Sequence, residues 1–236
     1  MANPKTKSRS TKKKNYRLTE TDLALAATAP AHRRKSVIKA AVGSGGYDYY
    51  KGVKTNLDGL LNIALNPRLP APLAIRKKIR AEIASACIGS REIKGNQSVA
   101  EGLYEYVFEQ KIIAAAFDFP PIGLGKAGTR RFWAPYILKI DGKKYIPFFD
   151  FRQGPRRLTR DARRFIFSIQ HTHIREANPT EYADVGFVIF QFTAPQSRVR
   201  KLVPYFDTGV SFSNDHEIGA MIDAVYRDLD EIKKAA

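Results

Sequence analysis

The chain has 236 residues, 44% apolar and 11% aromatic, enough to bury a core in one large domain or two small ones, which excludes global disorder. Its 40 Lys and Arg against 23 Asp and Glu leave a net charge of +17, for which a polyanion, nucleic acid first, is the simplest partner. One cysteine, Cys87, excludes an internal disulfide framework and a CxxC zinc site, and no window approaches the roughly 18 apolar residues that span a bilayer. The expectation is a soluble, intracellular protein with no membrane partner.

In chain order, residues 1–15 lack apolar periodicity and read as a basic mobile tail carrying Lys12, Lys13 and Lys14. Residues 16–90 read as a helical region. Thr19 is placed to cap a first helix through Asp22, a second runs from Arg33 to Val42, a third covers Leu57 to Leu65, and a fourth extends from Leu73 to Ile88. Residues 91–236 read as a mixed α/β domain. Ser98-Val99-Ala100-Glu101 has the spacing of a capping box, predicting a helix that starts there and runs through Ile112 or Ile113 until Asp118 to Pro121 stops it.

After the glycine loop at 123–128 the apolar period changes to two, and Asp141-Gly142 between Trp133–Ile140 and Lys143–Phe151 predicts a β-hairpin. Pro147 lacks an amide proton, so its strand is either locally on an edge or carries a bulge. A helix over Leu158–Arg175 follows, then a strand at Val185–Phe192 apolar enough to be covered on both faces, a strand near Val199–Phe206, and a final helix capped by Asn214. The order of elements predicts an α+β or mixed α/β fold, a helical N-terminal region preceding a sheet with packed helices. The seam Ile218, Ile222, Val225, Leu229, Ile232 is either core or a surface of the 214–234 helix for self-association or a protein partner.

The candidate phosphate contacts are the three tail lysines, Lys126, Arg130 and Arg131 beside the glycine loop, and Arg156, Arg157, Arg160, Arg163 and Arg164 around the helix at 158. The glycine loop matches GxGxxG only formally, because a helix precedes it and a strand follows. Phe132, Trp133 and Tyr136 are either core or a stacking platform for bases. His171 and His173, one residue apart on a helix, point in different directions and do not share a metal.

A sharper alternative comes from Asp150, lying between Phe149 and Phe151 and followed by Arg152. A helix bearing Glu101 and Glu105, a hairpin ending in Asp150 and Arg152, then a helix and a buried strand resembles the element order of restriction-endonuclease-like folds. That resemblance implies a Mg²⁺-dependent nuclease with Glu101, Glu105, Asp150 and Arg152 at its centre; otherwise no cofactor is expected. Arg152 departs from the lysine usual there. A binding module, such a nuclease and a structural component of a nucleoprotein assembly are therefore the three competing readings, and whether the chain is an enzyme stays open.

Overall fold

The computed structural model describes residues 16–42, 48–63, 73–117, 119–193 and 199–235. The fold is α+β, a mixed five-stranded sheet with helices on both faces and a small two-stranded hairpin beside it. The strands are β1 (Ile113–Ala116), β2 (Ile122–Gly123), β3 (Thr129–Arg130), β4 (Tyr136–Ile140), β5 (Lys143–Asp150), β6 (Gly186–Phe192) and β7 (Leu202–Phe206). The helices are α1 (Glu20–Ala27), α2 (Ala31–Val42), α3 (Lys51–Lys54), α4 (Leu57–Leu60), α5 (Leu73–Ser85), α6 (Ser90–Glu109), α7 (Arg160–Gln170), α8 (Pro179–Tyr182) and α9 (Asp215–Lys234).

The large sheet runs β1-β4-β5-β6-β7, antiparallel except between β5 and β6. Those two are parallel because α7 carries the chain from one to the other, and a parallel pair needs such a crossover. The β4–β5 hairpin turns at Asp141 and Gly142, whose φ of 49° and 81° are the left-handed values that a two-residue turn requires.

The unbroken apolar run of β6 is explained by two cores. Phe187 and Ile189 join Ile146 and Phe148 beneath α1, α2, α7 and α9, while Val188, Phe190 and Phe192 join Leu138 and Ile140 beneath the helices from α3 to α6. Alternation along one strand thus feeds both layers. The seam of α9 closes onto the first core: Ile218, Ile222, Val225 and Leu229 are buried against α1, α2 and α7. Its N-terminus carries a reciprocal capping box between Asn214 and Glu217. The apolar face once open to a partner helix is therefore internal.

Two local expectations are corrected. The long helix begins at Ser90, eight residues before the Ser98 box, with Glu92 Oε2 accepting from the Ile88 amide at 2.9 Å. Glu101 is drawn into an ion pair with Arg76 instead of reaching back to Ser98, so the box spacing lies inside a helix already started. That helix also ends earlier, at Glu109; Lys111 takes a φ of 49°, and Ile113–Ala116 pair with β4 as a strand, tertiary pairing overriding the helical preference of three alanines. The strand β5 lies inside the sheet, but its ladder to β4 covers only Lys143 to Tyr145, so Pro147 falls beyond the regular pairing on that side. Pro147 O accepts from Ala134 N at 2.7 Å outside that ladder, so the proline contributes its carbonyl where it has no amide proton to give.

Candidate functional site

The carboxyl ends of β5 and β6 hold a buried polar knot. Asp150, the last residue of β5, is 1% exposed, and its Oδ2 accepts from Leu158 N at 2.8 Å and from Gln191 Nε2 at 2.7 Å. Its Oδ1 accepts from Arg152 N at 3.3 Å. Gln191, facing Asp150 in the parallel register, also receives Arg163 Nη1 on Oε1 at 2.9 Å. These bonds compensate a carboxylate that would otherwise be costly to bury.

Two arginines complete the knot. Arg163 bonds Leu158 O and lies 3.7 Å over the Tyr205 ring. Arg200, fully buried, donates to the carbonyls of Thr193, Phe151, Arg152 and Phe192 and to Tyr50 Oη at 2.8–3.2 Å. Burial holds both guanidinium groups below their ordinary pKa, Tyr205 and Tyr50 respectively push back up, and the nearby Arg157 lowers each further. The loop between β5 and α7 is thereby pinned at both ends. It presents Arg156, Arg157 and, on the first turn of α7, Arg160.

Beside the knot opens a cleft of about 1190 Å³ between the start of α1, the Tyr49–Tyr50 segment and the end of β5. Arg152 crosses one wall, donating from Nη1 to Asp22 Oδ1 at 2.6 Å and from Nη2 to Thr19 Oγ1 at 2.7 Å. Thr19 is also the α1 N-cap through Asp22 N, as its sequence position implies. Burial alone would raise the Asp22 carboxyl, but Arg152 and Thr19 outweigh it and hold the group below its ordinary range.

The cations expected to gather on one exterior do not. Lys12, Lys13 and Lys14 lie outside the described residues. Lys126 reaches Asp223 at 4.0 Å; Arg130 is buried beside Tyr226 Oη, 3.5 Å away; Arg131 is half-buried. Arg164 is tied to Ser211 O at 2.7 Å and Arg163 turns inward. Arg156 makes one long bond, 3.4 Å, to Ala40 O. Phe132, Trp133 and Tyr136 are core, Trp133 Nε1 donating to Phe119 O and Tyr136 Oη to Asp58 Oδ1.

The carboxylates of the nuclease alternative also stay apart. Glu101 pairs with Arg76 and Arg80, and Glu105 with Arg76, on the side of α6 that faces α5, whereas Asp150 is consumed in the knot. His171 Nε2 approaches Glu176 at 3.3 Å and His173 Nε2 approaches Asp215 at 3.6 Å, each with its own acid. No group of three or more His, Cys, Asp or Glu suited to a metal occurs among the described residues. Sequence reasoning missed Gln191, Arg200 and Asp22. Gln191 alone left a signal, a polar residue inside an otherwise apolar strand.

A family model described as "Sliding clamp-binding bacterial toxin SocB" matches residues 21–235. The chain is also 32% identical over 193 residues to the DNA replication inhibitor toxin SocB of Caulobacter vibrioides, covering 80% of this chain and 78% of that protein. No solved structure matches. These findings overturn the expectation of a nucleic-acid partner and, with it, the phosphate-binding, Mg²⁺-nuclease and nucleoprotein readings: the matched family is described as a sliding clamp-binding toxin and the matched relative as a DNA replication inhibitor toxin. The inference failed because net charge reports the sign of a partner and says nothing of its polymer class.

Proposed function

The chain belongs to the SocB family of sliding clamp-binding bacterial toxins, and from that premise we propose that it binds the sliding clamp and thereby inhibits DNA replication. The observation that carries this reading is the family match over nearly the whole folded length, residues 21–235. Both faces of the sheet and the knot at its end fall within that span, so the matched unit is the fold itself and not a short appended motif. The reading places the protein inside the cell, where a clamp works. No helix among the described residues is long and apolar enough to cross a membrane.

A basic chain suits a partner with an acidic surface, since complementary charge speeds encounter and sets orientation. On this reading the protein acts by occupancy, keeping off the clamp other proteins that need the same surface. The test is surface plasmon resonance with the purified sliding clamp of the organism that encodes the chain, paired with thymidine incorporation after induced expression. Saturable binding and a fall in incorporation that precedes loss of transcription support the reading. Absence of binding, or a loss of viability with replication unaffected, removes it.

A further inference from the structure

The stretch from Arg156 to Arg164 holds five arginines and one acid, Asp161, in nine residues, yet its members have different fates. Arg163 and Arg164 are spent on internal bonds to Gln191, Leu158 O and Ser211 O. Arg157 and Arg160 donate no side-chain hydrogen bond and form no ion pair among the described residues, and Arg156 has only its long bond to Ala40 O. The Nε of Arg157 is out of reach of solvent with no hydrogen-bond partner, a condition that buried donors rarely tolerate. Asp150, the one carboxylate of the knot, is already surrounded by Leu158 N, Arg152 N and Gln191. The positive end of α7 adds to the same local field. Arg156 and Arg160 are thus exposed and Arg157 half-buried, and none of the three is paired with a carboxylate among the described residues.

We propose that Arg156, Arg157 and Arg160 form the docking point for carboxylates on an acidic segment of the partner protein. The inference rests on the clamp-binding reading and names the surface that serves it. Guanidinium groups pair with carboxylates through two parallel N–H···O bonds, and here they are held ready by a loop fixed at Asp150 and Arg200. An acidic protein segment fits better than a polymer of phosphates. Tracking a nucleic-acid backbone needs cations spread along one face, and Lys126, Arg130, Arg152 and Arg164 are each committed elsewhere.

The experiment measures clamp affinity by surface plasmon resonance at low and high salt for the wild type and two variants, with a short poly-glutamate peptide and a labelled DNA duplex as further probes. The double variant R157E/R160E is expected to bind the clamp and poly-glutamate roughly tenfold or more weakly, mainly through slower association. K139E/K144E carries the same change of charge on exposed lysines of the β4–β5 hairpin, at the opposite end of β5, and is expected to match the wild type. Thermal melting checks that both variants fold. Equal loss in both variants makes the effect one of net charge and overturns the proposal, as does undiminished binding by folded R157E/R160E. Loss of DNA binding with retention of clamp and poly-glutamate binding assigns the patch to nucleic acid and also overturns it. Failure of the wild type to bind the clamp defeats the functional reading alone, with the patch still judged by its poly-glutamate arm.

Discussion

Gln191 and Asp150 lie opposite each other in the parallel β5–β6 register and are joined by a 2.7 Å hydrogen bond, with neither side chain more than 1% exposed. A neutral amide therefore bridges the buried carboxylate to the Arg163 guanidinium, and the loop that bears Arg156 and Arg157 hangs from this bridge.

Replacing Asp150 with alanine leaves Leu158 N without its acceptor and Gln191 Nε2 with Leu158 O alone, and removes a negative charge that acts on Arg163 and Arg200. The expected cost is about 3 kcal/mol of folding stability, read as a lower urea midpoint with an unchanged m-value. A midpoint equal to that of the wild type would show that the knot is not structural.

Arg200→Ala strips four backbone carbonyls and Tyr50 of a common donor, and the bonds to Phe151 O and Phe192 O are buried. The loss should be about 3 kcal/mol or more, and Arg200→Lys should recover little, because an ammonium cannot span the planar fan that the guanidinium fills. Chemical denaturation of both variants decides it; full recovery by lysine would contradict the geometry.

Two glycines separate helix propensity from packing. A Cβ at Gly102 of α6 would collide with the Arg200 carbonyl oxygen, whereas one at Gly219 of α9 meets nothing within 4 Å. Gly219→Ala should gain about 0.5–1 kcal/mol, while Gly102→Ala should lose about 2 kcal/mol despite the same intrinsic benefit. Opposite shifts in melting temperature are the expected result.

The Arg152–Asp22 pair makes stability depend on acid. The Asp22 carboxyl is held below its ordinary range when folded, so its contribution is complete above the unfolded value of about 4 and disappears as pH falls through the folded value. Asp22→Asn should flatten this acid limb while leaving the slope above about pH 5 unaltered. Urea titrations at a series of pH values test the sign: a variant that retains the same acid limb would place its origin elsewhere.

Much of the fold was legible because its signals are local. Asp141-Gly142 announced the hairpin, the apolar run before Phe192 announced a strand covered on both sides, and Thr19 and Asn214 both cap the helices they precede. Strand β1 was not legible, since Ala114, Ala115 and Ala116 favour a helix and only pairing with β4 makes them extended. Candidate residues fared differently. Asp150 stood out as a buried acid, but Arg200, its neighbour through the knot, is distant in the chain and nothing around it sets it apart from other arginines.

By itself the sequence determined the periods, caps and turns, and hence an α+β chain with a strong positive surplus, because propensity and amphipathic spacing act over a few residues. Only the tertiary structure decided which charges are spent. Arg130, Arg152, Arg163, Arg164 and Arg200 are bound internally, while the guanidinium groups of Arg157 and Arg160 have no partner among the described residues. Whether a guanidinium is satisfied depends on carbonyls and carboxylates brought near by folding, sometimes from more than a hundred residues away, as with Arg152 and Asp22.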